Sequence, residues 1–142
     1  MNRKENGNNG EKEVIKLVKC PNCGRKLILL PAHTALADVQ CTKCMFRAQI
    51  KTLQHKPADT IPGSGWDVID KVLKAGFLPP PLLVNYKWKE KGQPKQTILF
   101  FPFIPKTHLK KYKLAATHPQ AGYAMFNYTG LSALPHFELF KK

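Results

Sequence analysis

Four cysteines fall in two pairs, Cys20-Pro21-Asn22-Cys23 and Cys41-Thr42-Lys43-Cys44, with seventeen residues between the pairs. No other feature limits the fold as much. Two C-x2-C knuckles at this separation match a four-cysteine zinc ribbon, in which facing knuckles surround one tetrahedral metal. Gly24 follows the first knuckle, where a tight turn calls for positive φ. Four thiolates leave no open coordination position, so the expected zinc is structural. His33 and His55 are then expected at the surface, because the ligand set is complete without them.

A disulfide reading of the cysteines is disfavoured by the expected compartment. The N-terminal stretch MNRKENGNNGEKE is polar and lacks a signal core, and no run of eighteen apolar residues occurs. The chain is therefore expected in the cytoplasm, a reducing compartment, with no membrane partner. Its 142 residues carry 23 lysines and arginines against nine acids, a net charge of +14. Such a balance suits a polyanion, with nucleic acid first.

Residues 1–12, rich in asparagine and glycine, read as a disordered tail, and 13–142 as a single domain with the ribbon at 20–44. Val14, Lys16 and Val18 alternate with Ile15 and Leu17, which predicts a short strand from Glu13 to Lys19; a helical turn is the competing reading. Leu27 to Leu30 and Ala35 to Gln40 predict a hairpin or two successive strands around the proline-marked turn Pro31 to Thr34. Asp38 follows Leu36 by two and should share its side of the strand. After the second knuckle, Phe46, Ala48 and Ile50 should face the core, and Arg47, Gln49 and Lys51 the opposite side. That polar row fits either a solvated strand face or one wall of a site beside Asp38. Asp38 itself fits either a strand-end cap or a cation ligand.

Beyond a loop from Leu53 to Ile61, Pro62-Gly63-Ser64-Gly65 leads to a helix with Ser64 as N-cap, Val68, Ile69, Val72 and Leu73 as its apolar stripe, and Gly76 as its stop. Gly63, Ser64 and Gly65 either approach a phosphate at that helix end or simply form a turn. A hairpin joins Leu82–Trp88 to Thr97–Ile104 around KEKGQPKQ, whose Lys89, Lys91 and Lys95 either touch DNA or protect an edge. Pro105 to Tyr112 reads as a short basic helix or turn. A strand over Ala121 to Asn127 and a last strand or lid in PHFELF complete a mixed sheet with a helix against it, in the α+β class (α/β mixed sheet).

The pattern Asp38, Gln49, Lys51 resembles the active-site signature of PD-(D/E)XK nucleases. Taken with CPNCG, ALADVQCTKC, TIPGSGW, FFPFIPKTHL and HPQAGYAMF, in this order from Cys20 to about Phe140, the chain is similar to the zinc-ribbon, methyl-directed restriction endonucleases of the Dpn type, the Dam-replacing family. The resemblance implies a restriction-endonuclease-like core and an endodeoxyribonuclease hydrolysing adenine-methylated duplex DNA at GATC-like sites. It implies magnesium, or manganese, held by Asp38, Gln49 and the Ile50 backbone carbonyl, with Lys51 positioning the attacking water. Gln49 stands where the family has glutamate, and this leaves a second reading, a DNA-binding module of the same fold that has lost catalysis. An RNA-associated basic ribbon is a third. On the nuclease reading, Arg47, Gly63, Ser64, Gly65, Lys89, Lys91 and Lys95 are the expected DNA contacts. Relatives of this type read methylated DNA with a C-terminal winged helix, so the resemblance leaves room for a separate DNA-reading partner. Oligomeric state is not legible at this level.

Overall fold

The structure is a computed structural model that describes residues 3–31 and 37–142, with side chains from residue 8 onward. It is a mixed α+β chain that divides into two compact units. One comprises Met1–Pro57, Pro80–Pro102 and His136–Lys142; the other comprises Ala58–Pro79 and Phe103–Pro135. The turn expected around His33 and the shared facing of Leu36 and Asp38 lie outside the described residues.

The first unit is built on helix α1 (Arg3–Leu17) and strands β1 (Leu27–Leu29), β2 (Val39–Cys41), β3 (Arg47–Leu53), β5 (Leu82–Glu90), β6 (Gln93–Phe101) and β9 (Phe137–Lys141). The sheet runs β1-β2-β3-β5-β6-β9. All neighbours pair antiparallel except β3 and β5, which are parallel, with Gln49 opposite Leu82 and Lys51 opposite Val84. A parallel pair needs a long return, and between β3 and β5 the chain passes through the second unit. Hairpin β5–β6 turns on Lys91 at φ 50° and Gly92 at φ 76°. Two successive positive φ values make the tight primed turn that suits the strand twist. The loop expected over KEKGQPKQ thus shrinks to two residues, with Lys89 and Lys95 taken into the strands.

Helix α1 replaces two expectations, the disordered tail, from Arg3 onward, and the short strand from Glu13 to Lys19. The apolar pattern that resembled a two-residue period is read by the fold as i, i+4. Val14 and Val18 lie on one face, at 0% and 3% exposure, and join Leu27, Val39, Ala48, Ile50, Leu83 and Ile98 in the core. Tertiary burial, not intrinsic propensity, makes this stretch helical.

The second unit has the three-stranded sheet β4-β8-β7, with β4 (Ile61–Gly65), β7 (Leu109–Lys113) and β8 (Ala124–Tyr128) all antiparallel, and helix α2 (Trp66–Lys74) against β8. Its core holds Ile61, Ile69, Phe126, Tyr128 and Leu131. The expected helix is present but starts later: Gly65 is its N-cap and no side chain caps it, because Ser64 is drawn into β4 by pairing with β8. Gly76, at φ 89°, ends the helix as expected. The stretch expected as a short basic helix or turn opens with a 3-10 turn over Lys106–His108 and then, unlike the expectation, continues as β7. PHFELF supplies β9 as the last strand.

Candidate metal centre and carboxylate fork

Both cysteine pairs converge. Sγ of Cys20 lies 3.6 Å from that of Cys44, Sγ of Cys23 lies 3.4 Å from that of Cys41, and all four lie within 4.8 Å of one another. Zinc–sulfur bonds of about 2.3 Å in a tetrahedron require sulfurs about 3.8 Å apart. The thiols therefore form a group that fits zinc. The amides of Lys43 and Cys44 donate to Cys41 Sγ at 3.3 and 3.4 Å, and Asn22 Nδ2 donates to Cys44 Sγ at 3.5 Å. Burial works against ionisation of Cys41, but the Lys43 and Cys44 amides and the Cys23 thiol prevail and draw it down to about 6. Gly24, at φ 78°, closes the first knuckle as its sequence position required.

The ribbon feeds directly into a fork in the sheet. β2 pairs with β3 only at Val39–Ala48 and Gln40–Arg47. One residue earlier, the Asp38 amide still donates to the Ala48 carbonyl at 2.9 Å, and then the strands part. Where a neighbouring backbone would have continued, the Asp38 carboxylate takes over, accepting the Ile50 amide on Oδ2 at 2.7 Å. Gln49, one residue before, donates its amide on the other side to Pro81 at 2.9 Å. Alternation along β3 thus gives Gln49 and Lys51 the same facing and sets the Asp38 carboxylate against the backbone between them. Burial pushes Asp38 above the ordinary carboxylate range, against the pull of the Ile50 amide and the Lys51 charge.

A third charged group completes the fork, and the sequence reading missed it. Glu11, half-buried on α1, is raised to about 7 by burial and then by repulsion from Asp38, with Lys51 opposing. A signal was present: Glu11, Val14 and Val18 stand at i, i+3 and i+7, so on a helix the acid shares the buried face. The signal is invisible once the segment is read as tail and strand. Glu11 and Asp38, both partly withdrawn from water and near enough for the Asp38 charge to raise Glu11, offer with the Gln49 side chain hard oxygens of the kind that suit a divalent cation.

The remaining expected contacts disperse. Arg47 is exposed and donates from Nε to Gln40 Oε1 at 2.9 Å. Lys89 and Lys91 are exposed at the β5–β6 hairpin, and Lys95 is half-buried opposite Trp88. Gly63, Ser64 and Gly65 belong to the second unit. There a Cβ on Gly63 would lie 2.3 Å from the Phe126 ring, and one on Gly65 would lie 2.7 Å from the Tyr123 hydroxyl. Close packing against aromatic rings gives these glycines a reason independent of any ligand. His55 is exposed, 5.8 Å from the Tyr86 ring centre, and outside the cysteine group. Among the described residues no helix is long and apolar enough to cross a membrane.

Comparison with curated proteins returns no match. Comparison with protein families returns DpnI, the Dam-replacing family, over residues 9–139. The matched span takes in Glu11, all four cysteines, the Asp38–Lys51 fork and strands of both units. The chain belongs to the Dam-replacing family, a family of restriction endonucleases.

Proposed function

We propose that this chain is a magnesium-dependent DNA endonuclease of restriction type that hydrolyses phosphodiester bonds in adenine-methylated duplex DNA at GATC-like sites. The fork supports this reading: Asp38 accepts the Ile50 amide at 2.7 Å, which sets its carboxylate on the strand that carries Gln49 and Lys51. On this reading β2, β3, β5 and α1 are the PD-(D/E)XK core, and both units work as one nuclease domain, since the family match runs through both. Zinc fills the cysteine group and fixes the ribbon from which Asp38 enters the fork. The chain acts in the cytoplasm.

Asp38 and Glu11, with the Gln49 amide oxygen and the Ile50 carbonyl, would hold the magnesium. When bound, the ion supplies positive charge to the scissile phosphate and acidifies a water. Glu11 answers the charge that Gln49 does not provide, so the donor set keeps two carboxylates. Lys51 donates to the non-bridging phosphate oxygens and orients the attacking water toward phosphorus, adding positive charge where negative charge develops. Arg47, Lys89, Lys91 and Lys95 contribute phosphate contacts that hold the duplex, and Gly63, Ser64 and Gly65 are DNA contacts contributed by the second unit. These contacts make affinity fall with salt.

The test is cleavage of methylated and unmethylated GATC plasmids side by side, in magnesium and in manganese, by the wild type and by Asp38→Ala. Cutting that needs both Asp38 and methylation is the expected result. Absence of cutting in either metal, with salt-sensitive binding retained, would establish the binding-module reading, which Gln49 favours. In that case Gln49→Glu should restore cutting.

A further inference from the structure

The acid at the fork depends on a helix that carries little helical propensity of its own, and two contacts seat that helix. At the first, the α1 backbone at Gly10 lies directly on the Thr52 side chain of β3. A Cβ on Gly10 would lie 2.1 Å from Thr52 Oγ1 and 2.6 Å from its Cβ and Cγ2. The approach seals the Thr52 hydroxyl, which is buried without a hydrogen-bond partner among the described residues. At the second, Asn85 on β5, 0% exposed and in register with Thr52, reaches up to the helix. Its Nδ2 stands 3.4 Å from the Gly10 carbonyl and 3.3 Å from Glu13 Oε1, while its Oδ1 accepts Gln96 Nε2 at 2.8 Å. Lys87 Nζ binds the same Glu13 carboxylate at 3.0 Å.

Both contacts bracket Glu11, with Gly10 before it and Glu13 two residues after. A buried asparagine with its amide committed to a helix carbonyl and a helix side chain fixes both the height and the rotation of that helix, because moving it would strand polar groups away from water. Gly10 fixes the third coordinate, the distance between helix and strand. Helix residues rise about 1.5 Å each and turn through about a quarter circle, so even a small slip would carry Glu11 away from Asp38.

The geometry points to Gly10 and Asn85 as positioning residues that set Glu11 on the fork, making the seat of α1 the device by which the chain keeps two carboxylates on a divalent cation despite Gln49. The inference rests on the nuclease reading of the fork. It concerns cation affinity rather than turnover, so it is testable whether or not the chain cuts.

The experiment is Mn2+ titration of the zinc-loaded full chain, followed by electron paramagnetic resonance, with circular dichroism on every variant. Glu11→Gln and Gly10→Ala should each weaken Mn2+ about tenfold, roughly 1.4 kcal/mol. Their combination should be no worse than either alone, because both remove the same carboxylate from the ion. Thr52→Gly should restore affinity in the Gly10→Ala background by making room for the added methyl. Asn85→Leu, which introduces no clash at Gly10, should reproduce the loss with the fold intact, and this keeps the test decisive if Gly10→Ala fails to fold. Unchanged Mn2+ affinity in Asn85→Leu, or additive losses in Gly10→Ala with Glu11→Gln, would overturn the inference. Unchanged affinity in Asp38→Ala would instead overturn the fork as a cation site, and the inference with it.

Discussion

Two helices of similar prominence in the structure are built on opposite terms. α2 announces itself: an apolar stripe at helical spacing, Asp67 in its first turn, Lys71 and Lys74 in its last, a Lys74–Asp70 ion pair at 2.9 Å, and Gly76 beyond its end. Those features are local, and each adds a few tenths of a kcal/mol or more to the helix wherever it occurs. α1 has asparagines and glycines through its middle, and its only basic residue in the last turn is Lys16. Its helicity comes from what Val14, Val18 and Gly10 meet on the sheet. A helix that stands on its own sequence is free to be a scaffold. One held by tertiary contacts transmits the state of those contacts, which suits an element that carries the proposed ligand Glu11.

Zinc removal should separate the two helices most sharply. Val18 and Cys20 share a core cluster with Leu27 and Cys41, and structural zinc in small ribbons carries about 10 kcal/mol or more of apparent folding free energy. Strong chelation should therefore strip hydrogen-exchange protection from the amides of 14–18 while those of α2 keep theirs. Equal loss in both would show that α1 does not depend on the ribbon.

Truncation of the anchors comes next. Ile69→Ala, at a side chain 1% exposed, should cost about 3 kcal/mol, and Val14→Ala, at 0%, about 2 kcal/mol. The useful readout is where the cost falls. Val14→Ala should weaken cation binding along with stability, whereas Ile69→Ala should leave Mn2+ affinity at the fork intact in the folded protein. A loss of affinity in both would break the distinction.

A smaller effect should appear with pH. Glu11 is raised in the folded chain from 4.5 to about 7, so its neutral form is the one folding favours. The stabilising contribution is complete below pH 4.5 and is lost as pH rises through 7. Without divalent cation, the melting temperature should fall by a few degrees between pH 5 and pH 8, roughly the span over which such a carboxyl ionises. Glu11→Gln should make the profile shallower, leaving the part that Asp38 contributes, and saturating magnesium should reverse it. A profile unaffected by Glu11→Gln would remove the acid from the fork. The smallest effect should come from Asn8→Ala at an exposed α1 position, which should add about 0.5 kcal/mol through helix propensity alone. No comparable gain is expected from exposed positions of α2.

The same contrast explains how much of the site could be read in advance. The cysteine group was legible because its chemistry lies in short spacings, and the knuckles at Cys20–Cys23 and Cys41–Cys44 close as their sequence suggested. Asp38, Gln49 and Lys51 were legible as residues of the right kind, and the pairing of Val39 with Ala48 supplies the register that brings the first against the other two. Glu11 was not legible, since its facing depends on a helix that the local sequence does not declare. Ser64 misled because capping is a local preference and β4 pairing with β8 outweighed it. The stretch from Pro105 to Tyr112 misled because its lysines conceal a strand that the β8 ladder recruits.

By itself the sequence determined the four-cysteine group, the net positive charge, helix α2, the β5–β6 hairpin and the residue types gathered at the fork, all through composition or spacings shorter than a few turns of chain. Tertiary structure alone decided that the N-terminal segment is a helix, that β3 and β5 run parallel with a second unit between them, and that Glu11 joins Asp38. Those outcomes depend on burial between segments far apart in sequence, as Gly10 against Thr52 and Asn85 beneath Glu13 show. Hydrophobic contact and buried hydrogen bonding act on distance in space, which one-dimensional pattern does not contain.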